Sequence, residues 1–151
     1  MKTSNRIIAL ALMTLLLGAI VALVLYSSED PRFGHDLWEA WLIGHAQLSP
    51  AVAGQVVFIC RKTLHFLGYG GIGLLFWAYF SLWGLAPAQV LGIGATGILA
   101  ALDEYTQTTS SFRGGKPGDV LLDFCGAVVI GWIVRKIIKH WLNAKEKRQN
   151  T

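Results

Sequence analysis

Residues 7–26 read IIALALMTLLLGAIVALVLY, twenty positions without a charged side chain. A helix of that length rises about 30 Å, the thickness of bilayer hydrocarbon. Lys2 and Arg6 precede the run, and Ser27, Ser28, Glu29 and Asp30 follow it. A signal peptide has similar flanks. This run is longer than the usual apolar region of such a peptide, and Leu25-Tyr26-Ser27 is a poor small-x-small cleavage site. The stretch therefore predicts an uncleaved first membrane helix over 7–26.

The rest of the chain shares this preference for hydrocarbon. It is 54% hydrophobic and 15% charged, too apolar for a soluble domain of 151 residues. Its 17 glycines suit close helix contact and its six tryptophans suit membrane–water interfaces. A net charge of +4 would also fit a nucleic-acid binder. However, Lys2 and Arg6 lie at the start, and Arg135, Lys136, Lys139, Lys145, Lys147 and Arg148 lie at the end. Basic residues flanking apolar spans are a topology signal, so no nucleic-acid partner is expected. Cys60 and Cys125 have neither CxxC nor metal-site spacing and read as small apolar side chains.

Outward from the first run, residues 35–45 place Trp38, Trp41, Leu42 and His45 at helical spacing, which predicts a short interfacial helix. Ser49 and Pro50 form a helix start, with a side-chain cap followed by proline in the first turn. The second span, 50–83, exceeds one bilayer crossing, so its first turns project or tilt. After a turn at 84–87 comes a third span, 86–104, with Pro87 in its first turn. The fourth is 118–141, opened by Asp119. Small residues four apart, Gly97/Ala101 and Ala127/Gly131, would let these last two spans approach closely. The predicted fold is all-α and a single domain over 1–151: an integral membrane bundle of four transmembrane helices, with a short interfacial helix between helices 1 and 2.

Four spans put both termini on one side. That side carries eight of the 13 Lys/Arg and one of the nine acids, so it is expected to be cytoplasmic. At about 1.5 Å per residue, Asp103 lies ~24 Å above Pro87, His65 ~27 Å above Trp83 and Asp123 ~18 Å above Arg135. All three fall toward the outer leaflet. On the second span Lys62, His65 and Tyr69 share one stripe, on the third Asp103 and Gln107 do, and on the fourth Asp119 and Asp123 do. Polar groups at one depth are expected to meet each other and not lipid, which makes this cluster the candidate site.

In this order, Lys62-x-x-His65-x-x-x-Tyr69, Asp103-Glu104-x-x-Gln107, Arg113 and Asp119-x-x-x-Asp123-x-x-Gly126, the chain resembles the VanZ-like family of small bacterial membrane proteins. The resemblance covers about 60–135. The family often has Asn at the last polar position, where this chain has Asp123. The resemblance implies an integral protein of the bacterial cell membrane, associated in the founding member with low-level resistance to the glycopeptide teicoplanin. No established reaction comes with it.

Three readings of the cluster stay open. In the first, Lys62, His65, Tyr69, Asp103, Glu104, Gln107, Arg113, Asp119 and Asp123 bind a substrate: an anionic membrane lipid, a lipid-linked cell-wall precursor or a glycopeptide. Arg113 suits bidentate recognition of phosphate or carboxylate, and Lys116 stands in the same glycine-rich loop, which is not a Walker sequence. In the second, His65, Asp103, Glu104, Asp119 and Asp123 are catalytic acids and bases. The carboxylates could also hold a divalent cation, although no spacing motif requires one. In the third, the charges pair to lock the helices together. The oligomeric state is open.

Overall fold

The computed structural model describes residues 3–30, 32, 35–109 and 115–149. Among these residues are five helices: α1 (Thr3–Glu29), α2 (His35–Ala46), α3 (Pro50–Trp83), α4 (Ala88–Thr109) and α5 (Pro117–Gln149). The helices predicted at 35–45 and 50–83 are therefore present, and the other boundaries move for local reasons. α1 extends past Tyr26 because the hydroxyls of Ser27 and Ser28 each lie 2.9 Å from the Val24 carbonyl within the helix. α4 starts later than expected. Pro87 precedes its first turn, and the Pro87 carbonyl accepts from the Val90 and Leu91 amides at 3.0 and 3.1 Å. α4 also runs past Glu104, where Thr106, Thr108 and Thr109 each bond a carbonyl one turn back. α5 continues to Gln149 through Lys, Glu, Ala and Arg, all good helix formers.

Ser49 caps α3 with its backbone alone, and its side chain makes no capping bond. The Ala53 amide reaches the Ser49 carbonyl at 2.9 Å, the first bond of the helix. At the other end Gly84 adopts φ 73°, a left-handed conformation that suits glycine. The Leu85 amide then returns to the Phe80 carbonyl at 3.0 Å and closes the helix.

Two helices, Thr3–Ser28 and Pro50–Trp83, are long and apolar enough to cross a membrane. The other two expected spans fall short of that measure. α4 carries Asp103 and Glu104, and the second half of α5 is strongly charged. All four long helices nevertheless present large apolar side chains outward, including Leu15 (71% exposed), Leu64 (69%), Ile98 (66%) and Leu121 (63%). An apolar surface of this extent belongs against lipid or protein, not water.

α3 is the central element. It packs on α5 and α4, which also pack on each other, while α1 lies against α3 and α4, and α2 against α3. Contacts at one end fix the helix directions. The Arg6 guanidinium donates to the Leu82 carbonyl at 2.7 Å, and Arg135 to the Gln89 side-chain oxygen at 3.0 Å. The start of α1, the end of α3, the start of α4 and Arg135 of α5 are thus gathered together. Lys136 and Lys145 lie over the rings of Trp132 and Trp141, each one turn back along α5.

Each inner helix buries a single stripe. On α4 it is Gly92, Thr96, Leu99, Ala100, Asp103, Glu104 and Gln107, and on α5 Asp123, Gly126, Ala127 and Gly131. The stripes are small-sided near the Arg135 end and polar at the other. α4 and α5 do pack together, as expected, but the tightest seam lies elsewhere. Gly97 does face Phe124, but Ala127 meets Gly73, and Gly126 lies against the backbone of Phe66, so the closest backbones are those of α3 and α5. Gly92 in turn sits against the backbone of Trp77, bringing α4 onto α3.

Between α1 and α2, Arg32 forms an ion pair with Asp30 at 2.6 Å. The hydrogen bonds from Arg32 hold the Asp30 carboxyl well below the usual carboxylate range. α2 and the first turns of α3 enclose an apolar trough of about 330 Å³ lined by Trp38, Trp41, Leu42, Val57, Cys60 and Leu64. Cys60 and Cys125 are free and exposed, which excludes a disulfide between them here.

Candidate functional site

The polar ends of the buried stripes meet at the end of the bundle opposite Arg6 and Arg135. Three residues one helical turn apart on α3 each take a different acid. Lys62 pairs with Asp119 of α5. The His65 Nδ1 lies 3.2 Å from both carboxylate oxygens of Asp123, also on α5. The Tyr69 hydroxyl donates to Asp103 Oδ2 of α4 at 2.7 Å. The ring of Tyr69 stacks on that of His65 with centroids 6.0 Å apart. The second oxygen of Asp103 accepts from the hydroxyl of Ser28, which brings α1 into the cluster.

Burial divides the cluster into two tiers. Asp103 is 3% exposed and Asp123 0%, whereas Lys62 and Asp119 keep 28% and 17% of their side chains open. The inner tier therefore places two carboxylates where water cannot solvate them, and a charge there is costly unless compensated. The outer pair is partly solvated, and its net contribution is modest. In a double-mutant cycle of Lys62→Met and Asp119→Asn, followed by unfolding in micelles, the coupling should fall at the low end of about 0.5–3 kcal/mol.

Glu104 faces the start of α5, and Gln107 lies buried one turn further along α4. Glu104 Oε2 accepts the Lys116 amide at 2.6 Å. Glu104 Oε1 and Gln107 Nε2 are buried without a partner among the described residues. Gly115 fits beside them because a side chain there would strike Thr108 and the Glu104 backbone. Lys116, read from sequence as a possible anion ligand, contributes its amide here, and the residue itself is exposed. Arg113 lies outside the described residues.

Of the expected site residues, His65, Tyr69, Asp103 and Asp123 thus form one chain of contacts, the Lys62–Asp119 pair stands one helical turn away, and Glu104 and Gln107 are buried on α4. Ser28 was not anticipated. A hydroxyl directly after a twenty-residue apolar run reads as the start of a loop, and only the extra turn of α1 carries it to the depth of Asp103. His65, Tyr69 and Asp103 also line a cavity of about 220 Å³ that opens between α1 and α3, with Val24, Ser27, Leu64 and Ile72 among its walls.

The clustered ligand atoms of His65, Asp103 and Asp123 lie within 4.8 Å of one another. Two carboxylates and an imidazole at this spacing could share protons, act as a general acid and base, or hold an ion.

This architecture defines a small all-helical membrane protein with a polar cluster held at one end by its packed helices. A family model described as VanZ/LLP1 matches residues 13–139. The chain belongs to that family. The match takes in most of α1, all of α2, α3 and α4, and every described residue of the cluster. No curated protein and no solved structure matches the chain.

Proposed function

We propose that this chain recognises the polar end of an anionic lipid or lipid-linked cell-wall precursor at the outer leaflet of the bacterial cell membrane, and that it contributes in this way to glycopeptide (teicoplanin) tolerance. α4 and α5 cross the bilayer beside α1 and α3, both termini are cytoplasmic, and the cluster faces outward. The charge asymmetry between the two ends of the bundle supports this orientation.

The observation that carries the reading is the lateral cavity between α1 and α3. Its walls at Val24, Leu64 and Ile72 are apolar, while His65, Tyr69 and Asp103 are polar. That gradient matches an amphiphile entering from the bilayer, its headgroup at the cluster and its chain in hydrocarbon. Gly68 lines the same cavity, and a Cβ added there meets nothing within 4 Å. Gly68→Leu should therefore fill the cavity without disturbing the helices. Mass spectrometry of lipids co-purified with wild type and variant tests the reading, together with teicoplanin susceptibility of cells expressing each. Loss of a bound amphiphile and of tolerance is expected in the variant. An unchanged lipid profile and unchanged tolerance would overturn the proposal.

The His65–Asp123 pair beside Asp103 favours a second reading, acid–base chemistry on a lipid-linked substrate. Turnover of the amphiphile identified above, lost on separate replacement of His65 and Asp123, would distinguish chemistry from binding.

A further inference from the structure

We infer that His65, Asp103 and Asp123 form a binding site for one divalent transition-metal ion. The argument needs only these side chains and does not depend on which amphiphile enters the cavity.

Charge is the first ground. Asp103 and Asp123 are both buried, and the imidazole of His65 is the only basic side chain in contact with either among the described residues. Lys62 is engaged by Asp119. Two carboxylates facing one imidazole in a low-dielectric setting leave negative charge that a divalent cation neutralises.

Geometry is the second ground. A charge-assisted hydrogen bond from a protonated imidazole would be directed at one oxygen, at about 2.7–2.9 Å. His65 Nδ1 instead stands 3.2 Å from each Asp123 oxygen. Neighbouring donors on one ion, each about 2.0–2.2 Å from it, lie roughly 2.8–3.6 Å apart. The whole set lies within 4.8 Å, so side-chain rotation that draws the widest pair together by roughly 1 Å closes it on a single ion.

The surroundings suit the role. The hydroxyls of Ser28 and Tyr69 occupy one lone pair on each Asp103 oxygen and fix the plane of the carboxylate, while further lone pairs remain for an ion. His65 and Asp103 line the lateral cavity, which leaves space beside these ligands for the remaining coordination positions of an ion. The imidazole favours ions such as Zn²⁺ over Ca²⁺ and Mg²⁺, which take oxygen ligands, and the two carboxylates also admit Mn²⁺.

The test uses the full chain in lipid nanodiscs after chelator treatment. Titration with Zn²⁺, Mn²⁺ and Ca²⁺ should show one saturable site per chain for a transition metal and far weaker Ca²⁺ binding. His65→Ala and Asp123→Asn should each lower the affinity by more than the roughly 10–100-fold that loss of an outer partner costs. His45→Ala and His140→Ala should match wild type. Histidine-modification footprinting of the wild type, read by mass spectrometry, requires no variant: the metal should protect His65 and leave His45 and His140 reactive. Failure of wild type to bind either transition metal one-to-one would overturn the proposal. So would binding that survives His65→Ala, or protection of a histidine other than His65.

Discussion

Asp103→Ala should be the most damaging single change at the polar end of the bundle. The carboxylate accepts from Tyr69 on α3 and from Ser28 on α1, so its removal orphans the buried Tyr69 hydroxyl and leaves Ser28 only the Val24 carbonyl of its own helix. An orphaned group costs about 1–3 kcal/mol. The vacated volume adds a cavity term at a position that is 3% exposed. Asp103→Asn keeps one acceptor oxygen and should fall between alanine and wild type. Denaturant unfolding in micelles gives the order. Hydrogen exchange adds a local readout. Because Ser28 ties the last turn of α1 to the cluster, amides around Val24 to Ser28 should exchange faster in Asp103→Ala while those around Gly92 keep their protection. A variant as stable as wild type would show that the acid is not what holds α1 at this end.

Gly126→Val should separate α3 from α5. A Cβ at this position would fall on the backbone of Phe66, 3.0 Å from its carbonyl carbon and 3.2 Å from its Cα, with the oxygen closer still. A flexible side chain could swing aside, but a helix backbone cannot. The cost should therefore exceed the about 1–3 kcal/mol usual for overpacking. Asp123 lies one turn before Gly126, so the same displacement pulls the carboxylate away from His65. The variant should lose both stability and any activity of the cluster. Gly94→Val is the control: nothing lies within 4 Å of its added Cβ, and its stability should change by no more than about 0.5 kcal/mol.

The helices were legible because their sequence signals are strong. A twenty-residue apolar run, a Ser-Pro start and a glycine stop each leave few alternatives. The gathering of His65, Asp103 and Asp123 was legible too, since residue rise along alternating helices places them at one depth. Which acid each α3 residue would take was not. Partner choice depends on stagger and crossing angle, and neither is written in one helix alone. The close contact between α3 and α5 was not foreseen for the same reason. Gly97/Ala101 and Ala127/Gly131 advertise small faces, but they do not say which neighbour each face meets. Gly70 and Gly73 on α3 turned out to complete the contact with Gly126 and Ala127. Ser28 was hidden by a boundary set one turn too early, and Arg113 lies outside the described residues.

Lys62, His65 and Tyr69 are mounted on one uninterrupted shaft, α3, while their counterparts sit on two others. The three links therefore behave like the teeth of a single key. A slide or twist of that shaft cannot release one without straining the rest, so any event that disengages the key at one level is felt from the solvated Lys62 rung down to the dry Tyr69 rung.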